Sequence, residues 1–298
     1  MGTKGARDRP SSLDWSSRDR PSSLDWSSRD RPSSLDWGYA DRKVVVSGGG
    51  GSGMGAAVVR ELVALGAEVH VLDLKDPPVE VAAHYQVDLR EPGEIDAAVV
   101  RVGDGVHALF NCAGLPGPPH SGLDTVLVNF VAARYLTDSV AQSMGPGGSV
   151  VTIASAGAIG WEHMLEVAGD LLATPDFHSA REWLETRPEL VGEGYLFSKQ
   201  MIVIWTMHAA LDLAGRQIRV NCTLPGPTDT PMMPAFEAYM GKEFMDSFPV
   251  PLGRRSTPED QVGILLFLNS PMASYITGAS VYVDGGFWAG MTTGRLTL

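Results

Sequence analysis

The chain has 298 residues, an apolar fraction of 44% and a formal net charge of −12 at neutral pH. Length and apolar content suit a folded α/β domain with a sizeable core, and the acidic balance argues against nucleic acid, which needs a basic surface to displace counterions. Two cysteines far apart in sequence, Cys112 and Cys222, give neither a disulfide framework nor a CxxC zinc or redox site, so a reducing cytoplasm is the expected compartment.

The first feature along the chain is an exact repeat. Arg-Asp-Arg-Pro-Ser-Ser-Leu-Asp-Trp occurs at 7–15, 18–26 and 29–37. This period is too short for a solenoid unit, and one Leu and one Trp per copy bury too little to offset the ordering entropy of the segment. Residues 1–42 are therefore expected to form a disordered arm, the alternative being that Trp15, Trp26 and Trp37 dock on the domain or on a partner chain. No apolar signal core is present in this arm, and the longest apolar stretch, 201–211, is interrupted by Thr206 and His208, so no membrane segment is expected.

From Lys43 the pattern changes. Residues 43–46 read as a buried strand, the glycine run as a turn, and 56–65 as an amphipathic helix closed by Gly66. A second strand follows at 68–72, with further strand-like runs at 108–110, 149–153, 219–222 and 280–283 and helix-length segments between several of them. Such alternation predicts a single-domain Rossmann-type fold over 43–298: α/β, a doubly wound parallel sheet with helices on both faces and ligands at the carboxyl ends of the strands.

Ser47-Gly48-Gly49-Gly50-Gly51-Ser52-Gly53-Met54-Gly55 lies between the first strand and the first helix. Glycines there let the backbone approach a pyrophosphate, which the amide groups and dipole of the helix N-terminus stabilise. Asp73, at the end of the second strand, is placed to accept hydrogen bonds from the adenosine ribose hydroxyls and to repel a 2′-phosphate. The expected cofactor is NAD rather than NADP. Ser52 supports this, since no Arg or Lys precedes Gly53, and Lys75 is the one nearby basic residue that blurs the preference.

These residues resemble the short-chain dehydrogenase/reductase family, whose turn reads TGxxxGxG. The match spans 43 to about 290 and runs in family order through the glycine turn, Asp88-Leu89, Asn111-Cys112-Ala113-Gly114, Tyr195 with Lys199, Pro225-Gly226 and Val283-Asp284-Gly285-Gly286. The turn is one residue longer than the family pattern, leaving Gly48 and Gly49 both open as its first glycine. The resemblance implies that Ser52, Gly53, Met54 and Gly55 contact the cofactor, that Asp88 and Leu89 contact adenine, and that Asn111, Ala113 and Gly114 line the adenosine side. It further implies that Thr228 and Thr230, after Pro225, hold the nicotinamide carboxamide.

Tyr195 and Lys199 stand four residues apart, on one face of a helix. An adjacent ammonium favours the phenolate and moves a tyrosine toward acid/base use. By resemblance, Ser155 hydrogen-bonds the reacting oxygen, Asn129 holds a water linking Lys199 to solvent, and Lys199 also binds the nicotinamide ribose. The implied activity is interconversion of an alcohol and a ketone. A catalytically idle NAD-binding regulator on the same fold, and an interaction protein working through the Trp repeats, are the rival readings. The seven histidines show no HExxH or closely spaced ligand set, so no metal site is expected.

Ser155 and Tyr195 are separated by 40 positions, far more than in most members of that family. The insertion, about 157–190, holds helix-like segments at 161–172 and 174–184, the latter opening on a Thr-Pro-Asp cap signal. A similar enlargement marks the bacterial 3α-hydroxysteroid dehydrogenase/carbonyl reductase branch. Because the insertion precedes the helix that commonly builds the family's oligomer interface, a homo-oligomer is expected with dimer and tetramer both open. Residues 231–250, rich in Met and Phe, are where the family builds its substrate lid, and point to a bulky apolar secondary alcohol or ketone, with hydroxysteroids leading and terpene or other alicyclic alcohols as alternatives.

Overall fold

The computed structural model describes residues 37–296. The expectation of a disordered arm therefore lies, as far as Asp36, outside the described residues. From Trp37 onward the arm's last residues belong to the folded body. Tyr39 is 1% exposed and its hydroxyl donates to the Leu266 carbonyl at 2.7 Å, while Trp37 packs partly against the same apolar cluster.

Seven parallel strands form one sheet, in the order β3-β2-β1-β4-β5-β6-β7. They are β1 (Lys43–Ser47), β2 (Glu68–Leu72), β3 (Ala83–Tyr85), β4 (Val106–Asn111), β5 (Met144–Ile153), β6 (Arg219–Pro225) and β7 (Ser280–Val283). The expected strands are all present, and the structure is the doubly wound parallel sheet that the alternation predicted. β3 has no apolar run of its own.

Strand pleating divides the core in two. Val44 and Val46 of β1, with Ala108 and Phe110 of β4, face α1 (Met54–Ala64) and α11 (Pro258–Asn269). Val45 and Leu109 face the opposite side, covered by α2 (Pro92–Val102), α4 (Ala132–Ala141) and α8 (Tyr195–Ala214). The long apolar stretch at 201–211 lies within α8. A helix apolar on nearly every side must be covered on nearly every side. The sheet covers one side of α8, and the insertion adds further cover, since the 3₁₀ turn Trp161–Met164 and α5 (Leu165–Leu172) both contact it. Among the described residues no helix is long and apolar enough to cross a membrane.

Within the insertion, α6 (Phe177–Glu185) begins at an Asp176 cap whose carboxylate accepts the Ser179 amide at 2.8 Å, and a short α7 (Pro188–Val191) follows. Arg134 of α4 fastens the α5–α6 corner, donating to the Leu171 carbonyl at 3.2 Å, to Thr174 Oγ1 at 3.1 Å and to the Thr174 carbonyl.

Tyr39 joins the chain ahead of the first strand to α11, so its loss leaves a cavity and an unpaired buried carbonyl. Tyr39→Ala should cost about 3–5 kcal/mol and lower the melting temperature by on the order of 10 °C, measured by thermal unfolding of the full chain.

Candidate active site

β1 and β2 carry the turn and the carboxylate that face the sheet's switch point. Gly48 adopts φ 71°, donates its amide to the Leu72 carbonyl at 3.0 Å, and would place a Cβ 2.4 Å from the Ala113 backbone. A Cβ at Gly49 would meet side chains only. The first obligatory glycine of the turn is thus Gly48. Further on, Gly50 donates its amide to Asp73 Oδ2 at 2.8 Å, the Lys75 amide takes Oδ1 at 2.8 Å, and a Cβ at Gly50 would lie 2.1 Å from the Lys75 carbonyl. The lengthened loop therefore fixes the Asp73 carboxylate directly, a link that sequence spacing did not reveal.

Gly48, Ser52, Gly53, Met54, Gly55, Asp73, Asp88, Leu89, Ala113, Gly114 and Thr230 all line one cavity of about 510 Å³. Gly53 caps α1 without a side-chain hydrogen bond, and the first turn of that helix holds no acidic residue. Its free amides and positive dipole end are left for an anion. Arg90 and Lys75 also line this cavity. Arg90 chelates Asp88 through Nε at 3.0 Å and Nη2 at 2.6 Å, and these bonds hold the Asp88 carboxyl below the usual carboxylate range.

Asn111 departs from the expectation. Its side chain is buried and donates to Thr137 Oγ1 at 3.0 Å and Thr152 Oγ1 at 3.2 Å, with the Ser47 hydroxyl donating to its Oδ1 at 3.5 Å. It ties β1, β4, β5 and α4 together beneath the cavity, so the neighbouring Ala113 and Gly114 form the wall. Cys112 lines this wall too, with burial pushing its thiol up to about 12.

Ser155, just past the end of β5, and Tyr195, the first residue of α8, meet across a second, apolar lobe of about 180 Å³. Lys199, one turn into α8, is 4% exposed; its Nζ donates to the Ile153 carbonyl at 2.8 Å and lies 5.6 Å from the Tyr195 ring centroid. Burial lowers the Lys199 ammonium to about 8. It also raises the Tyr195 phenol, with a hydrogen bond from Ser155 drawing it partly back. Sequence spacing brings only the charge of Lys199 to bear on the phenol. In the folded site desolvation of the phenol is the largest effect, opposed by the Ser155 hydrogen bond.

Asn129 sits in a π-helical turn, Leu127–Val131, between α3 (Gly122–Val126) and α4. Its Oδ1 accepts the Leu115 amide at 2.6 Å, and its Nδ2 donates to the Leu115 carbonyl at 3.1 Å and to Ser198 Oγ at 3.0 Å. Ser198 in turn donates to the Tyr195 carbonyl at 2.6 Å. The Asn129 side chain thus braces the start of α8 and the Leu115 loop.

The apolar lobe is covered by α9 (Met233–Met240) and α10 (Lys242–Ser247), and its lining includes Met232, Met233, Phe236, Met240, Met245 and Phe248. Phe236 meets the Tyr195 ring edge to face at 4.9 Å. Pro225 and Thr228 line the lobe, and Thr230 borders both lobes. The Thr228 hydroxyl donates to the Gly226 carbonyl at 2.9 Å and shares a 2.7 Å hydrogen bond with Ser256. Ser256 is another residue that spacing could not flag.

The short chain dehydrogenase family model matches residues 43–165, and a model described as enoyl-(acyl carrier protein) reductase matches 188–288. Coniferyl-alcohol dehydrogenase of Pseudomonas sp. strain HR199 is 30% identical over 82% of this chain and 96% of its own length. This chain is a short-chain dehydrogenase/reductase. The 3-alpha-hydroxysteroid dehydrogenase/carbonyl reductase of Comamonas testosteroni is 29% identical over 83% of this chain and 97% of its own length. Among solved structures, the 3-alpha-hydroxysteroid dehydrogenase of Pseudomonas sp. B-0831, crystallised with NADH, superposes with a TM-score of 0.71 at 27% identity, covering 86% of this chain and all of that one. Among the described residues, no cluster of three or more His, Cys, Asp or Glu side chains is placed to hold a metal ion.

The position of Lys199 has a consequence for stability. An unfolded lysine keeps its proton to about 10.4, whereas the folded one releases it near 8, so between these values the unfolded state binds more protons and Lys199 adds stability as pH rises. Unfolding free energies by urea at pH 7 and 9.5 should therefore diverge between wild type and Lys199→Met. Wild type gains relative to the variant by at most about 1.4 kcal/mol per pH unit above 8.

Proposed function

We propose that this short-chain dehydrogenase/reductase is an NAD-dependent enzyme interconverting a bulky apolar secondary alcohol and its ketone, with a hydroxysteroid or similar alicyclic compound as the leading substrate class. One observation carries the reading: Ser155, Tyr195 and Lys199 converge on an apolar lobe that shares the Met54, Cys112–Gly114 and Thr230 wall with the glycine-turn cavity. That cavity suits a dinucleotide, since Gly48 and Gly50 leave no room for a Cβ and the capless N-terminus of α1 offers amides to a pyrophosphate. A bound nicotinamide would supply the hydride acceptor or donor.

The chain's own residues then divide the remaining work. A substrate hydroxyl lying between Ser155 and Tyr195 gives its proton to the Tyr195 oxygen during oxidation, while the Ser155 hydroxyl donates to the developing negative charge on the substrate oxygen. Buried Tyr195 resists ionisation, and the Lys199 ammonium favours the phenolate by its charge. With its own proton held weakly, near pH 8, Lys199 is suited to passing protons on. Asn129, through Ser198, keeps Tyr195 at the head of α8. Thr228 and Thr230 are assigned to the carboxamide side, and Asp88 and Leu89 to the adenine.

Asp73 favours NAD: each carboxylate oxygen already accepts one amide and keeps lone pairs for ribose hydroxyls, while its charge opposes a 2′-phosphate. The apolar lining of the substrate lobe favours a large alicyclic skeleton, and methionine adapts to such shapes. A homo-oligomer, dimer or tetramer, acting in the cytoplasm without a nucleic-acid or membrane partner completes the reading.

The test is kcat/KM with NAD across 2-propanol, cyclohexanol and a 3-hydroxysteroid, with coniferyl alcohol alongside. Each additional buried methylene should contribute about 0.8 kcal/mol, so efficiency rises steeply with bulk. A flat series, or preference for small polyols, defeats the substrate assignment, and coniferyl alcohol as the best substrate moves it to aromatic primary alcohols. In Tyr195→Phe turnover should fall by roughly 10²–10⁴ with NADH binding retained. Separately, Asp73→Ala should narrow the ratio of NAD to NADP efficiency, and a wild type that works better with NADP sinks the cofactor assignment.

A further inference from the structure

Burial alone holds the substrate lid weakly. In α9 only Met233 is buried and in α10 only Met245, while Tyr239, Met240 and Phe244 are 52%, 45% and 37% exposed. The two helices meet at Gly241, whose φ of 92° marks a turn of the chain between them. Beside the ring contacts of Phe236 with Tyr195 and of Phe248 with buried Phe287, what fastens them is charge. Arg255 lies just C-terminal to the lid; its Nη1 is 3.1 Å from Glu237 Oε1 on α9 and its Nη2 is 2.9 Å from Asp246 Oδ1 on α10. The same Nη1 is 3.6 Å from Asp229 Oδ1, in the loop leading to Thr230, where the two lobes of the cleft meet.

Two residues beyond Glu237, on another face of α9, the Tyr239 hydroxyl hydrogen-bonds the Glu193 carboxylate, in the short link between the insertion and Tyr195. The lid is therefore tethered on one flank to Arg255 and on the other to the link that leads into α8. The tethers differ in strength. Tyr239 offers one neutral hydroxyl at an exposed rim, whereas the Arg255 guanidinium is 21% exposed and its planar fork meets carboxylates from three segments at once. An isolated surface ion pair contributes little, but this cation joins otherwise repelling groups. Without it, Asp229, Glu237 and Asp246 would face one another with Lys242, 2.8 Å from Asp246, as partial compensation on α10.

We propose that Arg255 is the latch of the substrate lid: a positioning residue that joins α9 to α10, holds both over the apolar lobe, and links the closed lid to the Asp229–Thr230 loop at the seam between the two lobes. It touches none of the reacting atoms. Its effect falls on how firmly a bulky alcohol is retained and how fast the product leaves, and in this respect it rests on the function proposed above. The neighbouring Arg254 acts elsewhere, pairing with Asp260 in the first turn of α11.

Hydrogen exchange on the full chain, without ligand, tests the latch independently of any substrate. In Arg255→Met, peptides within 233–247 should exchange severalfold faster than in wild type while those of β1 and α1 stay unchanged. Arg255→Lys and Glu237→Gln should fall between, because each leaves part of the bridge. With the best alcohol found for the wild type, Arg255→Met should raise KM severalfold and leave kcat equal or higher. Unchanged exchange in 233–247, loss of protection spread through β1 and α1, or a fall in kcat with KM unaltered would each overturn the proposal. A wild type that turns over no alcohol would remove the function proposed above, and the exchange experiment would still decide the latch.

Discussion

The Lys199 ammonium, buried against the last carbonyl of β5, fixes the relation between the sheet and the helix that begins at Tyr195. A charge at that depth needs a partner, and a backbone carbonyl at a strand end is one that rotamer changes do not displace. Once Lys199 is held there, Tyr195 one turn earlier is carried to the side of Ser155, which follows the same strand. The bond also accounts for the ionisation behaviour of the pair. With a neutral carbonyl as partner in place of a carboxylate, desolvation of the ammonium outweighs the opposing interactions with Cys112 and Cys222, and Lys199 loses its proton more readily than a surface lysine.

Polar ties elsewhere work outward from this point. Asn129 braces the Leu115 loop against Ser198, and Ser198 holds the Tyr195 carbonyl. Asn111 stitches three strands and α4 below the cofactor-side cavity. In both cases the amide is buried with several partners, an arrangement that defines one geometry because each missing bond would leave a buried polar group unsatisfied. The lobe beside Tyr195 is otherwise largely apolar, so rigid polar groups lie beneath and beside an adaptable lining of methionine and phenylalanine.

α9, α10 and the insertion reverse that arrangement. Their inner surfaces are apolar and soft, and their attachments at the rim are charged: Arg134 at the α5–α6 corner, Glu193 beside Tyr239, and Arg255 across α9 and α10. Of these, α9 and α10 bury little area, and elements so held open at lower free energy than the sheet they cover, whereas the insertion is anchored in the core through Leu171, Phe177 and Leu184.

Much of this was legible in the sequence. Strands rich in apolar and β-branched residues stand out between helix-length segments, so β1, β2, β4, β5, β6 and β7 could be read directly, and the glycine turn, Asp73, Ser155, Tyr195 and Lys199 stand at strand ends or helix starts where local pattern locates them. β3 escaped because three residues carry no period, and the burial of Tyr39 escaped because a lone aromatic after a polar repeat has no periodicity to announce it. The direction of the Asn111 amide, the rise of the Tyr195 phenol, the choice of Gly48 over Gly49 and the grip of Arg255 on two helices were decided by tertiary structure alone. Local sequence specifies backbone conformation and which residues are apolar. Burial of a particular atom, and its distance from groups many positions away, exist only once the chain has closed around it.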